Sequence, residues 1–202
     1  MKKILSKFRL SKKDLVGILI FSVVLILATK VPFTKVEGSR GYFTLFDFAA
    51  PTTLAFMGTL PGIIAIGIAQ IFNIILNGTQ QIDAVTIVRL FPVFFGEIYF
   101  QSKNKTNLLF PIAAIILFIL NPIGQQVWYY SLFWIIPLVA YVLRNRFVFA
   151  RALGATFTQH AVGGVLWIYL IPTTAEYWNK LIPLVLSERL VIGIGIVTFF
   201  IF

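Results

Sequence analysis

Apolar residues run through this chain in long blocks, broken at short intervals by prolines, glycines and small polar clusters. The blocks cover residues 15–31, 43–58, 61–76, 84–100, 108–120, 127–143, 150–171 and 181–202. Between them stand Gly58-Thr59-Leu60-Pro61, Asn77-Gly78-Thr79-Gln80-Gln81, Ser102-Lys103-Asn104-Lys105, Asn121-Pro122-Ile123-Gly124 and Pro172-Thr173-Thr174, sequences that end helices and form turns. The blocks are rich in Ile, Val and Phe, yet their length and lack of strict alternation argue against strands of a barrel. A membrane-crossing helix needs about 20 apolar residues. Most blocks approach that length. Block 43–58 contains Asp47 and Pro51, and block 108–120 is short and contains Pro111, so each reads as a full span or as a half-helix sheltered by protein. The pattern predicts an all-α fold, a polytopic membrane helix bundle with six to eight transmembrane segments.

Composition supports that reading. Of the 202 residues, 59% are hydrophobic and 12% charged, against about 45–50% and about 25% in soluble domains. A soluble fold of this length could not hide so much apolar surface, and a lipid bilayer is the expected solvent. Lys and Arg number 17 against 7 Asp and Glu. The excess falls between the apolar blocks, which points to membrane orientation and away from nucleic acid. Lys2, Lys3, Lys7, Arg9, Lys12 and Lys13 precede the first block, and Lys103, Lys105, Arg144, Arg146 and Arg151 fall at matching parities. The positive-inside rule then puts the N-terminus in the cytoplasm and predicts a multi-pass protein of a prokaryotic plasma membrane. Residues 77–83 and 172–180 are expected outside. The first block is too long for a signal-peptide core and no small-residue cleavage site follows it, so it reads as a retained helix. The domain reading is a basic cytoplasmic segment, 1–14, and one transmembrane domain, 15–202. The chain has no cysteine, hence no disulfide and no thiolate site.

Catalytic motifs of soluble enzymes are missing: no HExxH, GxSxG, Walker A or CxxC occurs. The single His160 lacks the neighbours of a zinc site, and the acids do not form paired Asp-rich motifs. The expectation is a non-enzyme with no metal and no cofactor.

What remains is a set of polar residues inside apolar blocks, where ionisable groups are costly and either pair or serve a site. Asp47 lies near the outer end of its block, Gln70 and Asn73 in the outer half of theirs. Arg89 lies about one and a half turns below the outer end, and Glu188 and Arg189 about two turns. Residues from several segments thus share one depth. The plainer role is helix-locking ion pairs, Arg89 with Glu188 or Asp47 with Arg189; the sharper one is an outward-facing polar pocket. Glu188 and Arg189 project about 100° apart, so they are not expected to face one partner equally. His160 is either a neutral packing histidine or a solute contact, with Gln159 the better contact of the two. Trp128, Tyr129, Tyr130, Trp134, Trp167, Tyr169, Tyr177 and Trp178 gather on the outer side, as an interfacial belt or as walls for a flat ligand. The residues expected to bind a solute are Asp47, Asn73, Arg89, Gln159, His160 and Glu188 as polar contacts, and Trp134 and Trp167 as walls. Small residues mark close packing, notably Ala65 and Ala69, where either another helix of this chain or a partner subunit could dock.

The stretch from Phe46-Asp47 through Phe100 resembles the core of substrate-binding S subunits of energy-coupling factor (ECF) transporters. The resemblance rests on an apolar helix ending at Gly58, the turn Leu60-Pro61-Gly62, a small-residue helix over 63–76, a polar outer loop, and Arg89-Leu90-Phe91-Pro92 leading to Gly96. It covers about half of the chain. It implies capture of a small, vitamin-like organic solute from outside, with a transmembrane coupling subunit and cytoplasmic ATPases driving release. Two features depart from the family. S subunits usually have about six spans, and their first helix often carries Ala-x-x-x-Ala for docking. Here 15–31 has none, and the spacing occurs at Ala65/Ala69 instead. Competing readings are an intramembrane enzyme acting on a lipid or isoprenoid, using His160 with Glu188 or Asp47; a stand-alone solute carrier; and a scaffold subunit.

Overall fold

The computed structural model describes residues 10–38, 41–76 and 84–202. The expected outer loop 77–83, Arg40 and the basic residues Lys2, Lys3, Lys7 and Arg9 lie outside the described residues.

Helix α1 (Lys12–Ala28) starts before the apolar block because Ser11 and Asp14 form a capping box. The Ser11 hydroxyl accepts from the Asp14 amide at 3.2 Å and the Asp14 carboxylate accepts from the Ser11 amide at 2.7 Å. After α1 the chain departs from the all-α expectation. Strands β1 (Pro32–Lys35) and β2 (Tyr42–Thr44) form an antiparallel hairpin. Phe33, Thr34, Tyr42, Phe43 and Thr44 favour extended backbone, and Gly38, at φ +73°, turns the chain where side-chain-bearing residues are strained. The fold is therefore nearly all-α.

Helix α2 (Phe46–Met57) is only 12 residues long and ends at Gly58, with φ +85°. It is followed by α3 (Thr59–Leu76), then α4 (Ala84–Leu90) and α5 (Pro92–Gln101). Pro92 separates the last two: it has no N–H to continue the ladder but suits the first turn of a new helix. A 3₁₀ turn (Lys105–Leu108) leads into α6 (Leu109–Leu120), and α7 (Pro122–Gln126) is capped by the Asn121 side chain. Block 127–143, expected as one helix, is instead a 3₁₀ segment (Trp128–Ile135) followed by α8 (Ile136–Leu143). Pro137 cannot donate back into the preceding turn, so an α-helix cannot run through unbroken. Helix α9 (Val148–Leu170) and helix α10 (Ala175–Ile201) complete the chain. Helix α10 begins six residues before its apolar block because Thr174 caps it, accepting from the Tyr177 amide at 3.2 Å.

Among the described residues, three helices are long and apolar enough to cross a membrane: Thr59–Leu76, Ala84–Gln101 (α4 and α5 together) and Ala175–Ile201. Lys105–Leu120 and Trp128–Leu143 are shorter apolar helices. Large apolar side chains such as Leu19, Ile75, Leu120, Val142 and Ile194 are exposed, the outward-facing apolar surface of a membrane protein.

Helix α9 is the hub, packed against α5, α6, α8 and α10, while α2 lies between α3, α5 and α10. Small residues let these helices approach: a Cβ on Gly154 would meet the Tyr99 ring at 2.2 Å, and one on Gly195 the Phe48 ring at 2.4 Å. Ala65 and Ala69 are fully buried, and Ser22 of α1 donates to the Ala65 carbonyl at 3.3 Å. Of the two readings of that stripe, the structure shows packing within the chain, with α1 against α3.

One end of the bundle is tied by arginines. Arg144 donates to the Tyr99 and Phe100 carbonyls at 2.8 and 3.0 Å, and Arg151 also donates to Phe100. Together they satisfy carbonyls at the C-terminal end of α5. Thr59 reaches Gln101 at 3.0 Å and Tyr141 donates to the Lys103 carbonyl, so the α2–α3, α5–α6 and α8–α9 connections meet there. The hairpin and the N-terminal end of α5 mark the opposite end.

Candidate functional site

At the hairpin end the helices enclose a cavity of about 870 Å³. The hairpin, α2, α3, α4, α9 and α10 all contribute to its wall. Asp47 enters from the first turn of α2, where one carboxylate oxygen accepts from the Thr44 amide at 2.8 Å. The carboxylate lies in the first turn of α2, where the helix N-terminus favours negative charge. Gln70 and Asn73 come from α3, spaced so that both face the same side. Arg89, exposed at the end of α4, donates to the Tyr42 carbonyl of β2 at 2.9 Å.

Helix α10 supplies Glu188 and Arg189. Their closest approach is 3.8 Å, a loose ion pair. The Arg189 guanidinium lies over the Phe43 ring, 4.6 Å from its centroid, and donates weakly to Thr156 at 3.4 Å. Its Nε is buried without a partner. Helix α9 supplies Gln159, His160 and Trp167. The Trp167 ring lies parallel to Tyr177, 6.4 Å between centroids, and Tyr177 donates to the Glu37 carbonyl at 3.1 Å. The flat wall and the hairpin are thus joined.

Of the residues expected to bind a solute, Asp47, Asn73, Arg89, Gln159, His160, Trp167 and Glu188 all line this one cavity. Trp134 does not. It is fully buried behind His160, packed on Phe118 and Tyr130, and its indole donates to His160 Nδ1 at 3.0 Å. The 3₁₀ backbone over 128–135 turns Tyr130 toward the cavity, a rotation that an α-helical projection does not give. The ion pairs Arg89–Glu188 and Asp47–Arg189 do not form. Among the described residues the carboxylate pairs are Glu176 with Lys180 at 2.7 Å and Glu188 with Arg189.

Sequence reasoning passed over Lys30 and Glu37, both on the cavity wall, and Glu97. Glu97 lies on α5, fully buried, with both carboxylate oxygens unpartnered. The available signal was an acid alone in an apolar block. No group of three His, Cys, Asp or Glu side chains that could hold a metal ion occurs among the described residues.

No family model matches this chain, and no curated protein and no solved structure matches it.

Proposed function

We propose that this chain is the membrane substrate-capture subunit of an ECF-type uptake transporter, binding a small, vitamin-like organic solute from the outer face. The observation that carries the reading is the cavity itself. Polar and aromatic side chains from six elements converge on one cavity at the end opposite the basic connections. Its volume of about 870 Å³ suits a small organic molecule, since such sites span about 300–1,000 Å³ and combine apolar walls with a few placed polar groups. Lys103, Lys105, Arg144, Arg146 and Arg151 lie at the other end, which by the positive-inside rule is cytoplasmic. On this reading the chain is multi-pass in the cell membrane with six to eight segments, its N-terminus is cytoplasmic and the cavity opens outward. Release then requires a transmembrane coupling subunit and cytoplasmic ATPases, because the sequence has no nucleotide-binding loop of its own.

The enzymatic alternative would use His160 together with Glu188 or Asp47. Both nitrogens of His160 are engaged, one by Trp134 and the other by Tyr130. The stand-alone carrier is separated from the capture subunit by uptake into liposomes containing the purified chain alone. The expected result is high-affinity binding of a copurifying solute without concentrative uptake. Concentrative uptake driven by a proton gradient would refute the partner-dependent reading, and turnover of a lipid lost on His160→Ala would refute the binding reading.

A further inference from the structure

The hydrogen bonds around His160 have a direction that the chemistry of tryptophan fixes. An indole N–H only donates, so His160 Nδ1, 3.0 Å from Trp134 Nε1, must present a lone pair. A neutral imidazole then carries its proton on Nε2. That nitrogen lies 3.1 Å from the Tyr130 hydroxyl, so Nε2–H donates and the Tyr130 oxygen accepts. The reverse direction would place two N–H donors face to face at the indole, and an imidazolium would do the same. With its oxygen accepting from His160, the Tyr130 hydroxyl hydrogen must point elsewhere. No other partner for that hydroxyl occurs among the described residues. Tyr130 is 1% exposed, and the residue lines the cavity. A buried donor left unmet is costly.

We propose that Tyr130 is a specificity-determining donor whose direction is locked by Trp134 through His160, so that the cavity selects solutes presenting a hydrogen-bond acceptor, such as a carbonyl, carboxylate or ring nitrogen. The proposal rests on the solute-binding reading above and names the polarity of its ligand. Trp134 acts here as a positioning residue. Its ring is itself held by Phe118 and Tyr130, edge-on at 5.1 and 6.2 Å, and a Cβ at Gly164 would strike it at 2.7 Å. The indole therefore has little freedom to release His160.

The test has two arms. The chain contains a single histidine, so ¹⁵N-histidine NMR of the purified protein in detergent reports its tautomer without assignment. The expected spectrum is a neutral ring protonated on Nε2. A ring protonated on Nδ1, or a charged ring at neutral pH, overturns the proposal whatever the cavity binds. The second arm compares two single-ring probes, benzamide, which offers a carbonyl acceptor, and benzylamine, which offers only donors. Benzamide is expected to bind, to shift the His160 resonances, and to lose about tenfold in affinity in Tyr130→Phe, the size of one net hydrogen bond; benzylamine is expected to be indifferent to that change. Trp134→Phe should weaken benzamide less and let both tautomers appear. Equal benzamide affinity in wild type and Tyr130→Phe overturns the donor assignment while leaving solute binding intact. Binding of neither probe overturns both this proposal and the solute-binding reading.

Discussion

Arg89, at the end of α4, donates to the main-chain carbonyl of Tyr42 in β2 at 2.9 Å, joining the hairpin to a helix 47 positions further along the chain. A Cβ on Gly41 would lie 1.8 Å from Arg89 Nη1. The guanidinium therefore occupies the space that the missing side chain leaves, and any side chain at position 41 would have to displace it.

Arg89→Ala and Gly41→Ala are expected to have the same effect by different means. One removes the donor, the other pushes it off the carbonyl. Each should cost about 1 kcal/mol of stability, the net value of an exposed hydrogen bond. Each should also speed proteolysis within the hairpin. Lys35→Ala, an exposed change on β1, should stay within about 0.5 kcal/mol. Thermal unfolding in detergent together with limited proteolysis decides. Unchanged cleavage in Gly41→Ala would show that Arg89 does not hold the hairpin.

The small-residue stripe on α3 gives a second test. Ala65 and Ala69 are fully buried under α1, so Ala65→Leu inserts bulk into a filled interface. Overpacking of this kind costs about 1–3 kcal/mol. The expected outcome is a lower unfolding temperature in the isolated chain. A chain of normal stability that had lost a copurifying membrane partner would instead identify the stripe as a docking face.

How much of this was legible in the sequence differs between fold and site. Helix positions follow from apolar blocks bounded by Gly, Pro and Asn, and the structure starts α3 at Thr59 and α9 at Val148, within two residues of their blocks. The convergence of Asp47, Asn73, Arg89 and Glu188 on one cavity follows from shared depth, because rise per residue is constant along a helix. Rotation about the axis is less legible. Trp134 was expected on the wall as one of the outer-side aromatics, but it lies in a 3₁₀ segment and is buried behind His160. The hairpin was missed because four- and three-residue strands give too short an alternation to stand out from a polar connection. Arg89 carried an electrostatic signal, but its acceptor is a backbone carbonyl, which no side-chain pairing scheme can find.

Glu97 offers a third prediction. Its carboxyl is fully enclosed on α5, between Val93, packed among α2 and α3 residues, and Phe100, packed against Phe200. Neither oxygen has a partner. An unmet buried polar group costs about 1–3 kcal/mol, so Glu97→Met, which keeps the volume and removes the polar atoms, should stabilise the isolated chain by about that amount. Glu97→Gln leaves the amide equally unmet and should change little. If Met destabilised the chain as well, the carboxyl would have a partner in the folded state, and α5 would have to be placed differently against α2 and α9.

The orientation is the prediction on which the functional reading most depends. The cavity opens at the end carrying the hairpin and the start of α10, and the basic connections lie at the other end. The chain has no cysteine, so single cysteines report sidedness without background. Lys180, beside the cavity end, has a side chain 72% exposed, and Lys105 and Arg146 are exposed on the opposite connections. With a membrane-impermeant maleimide on intact cells, Lys180→Cys is expected to label, while Lys105→Cys and Arg146→Cys label only after permeabilisation. Lys105 and Arg146 lie in polar connections and Lys180 is exposed on the second turn of α10, so the changes should leave stability within about 0.5 kcal/mol. The reverse pattern would turn the cavity toward the cytoplasm, where it could not capture a solute from outside. Labelling of Lys105→Cys and Lys180→Cys from the same side would require an even number of crossings between them and would overturn the span assignment itself.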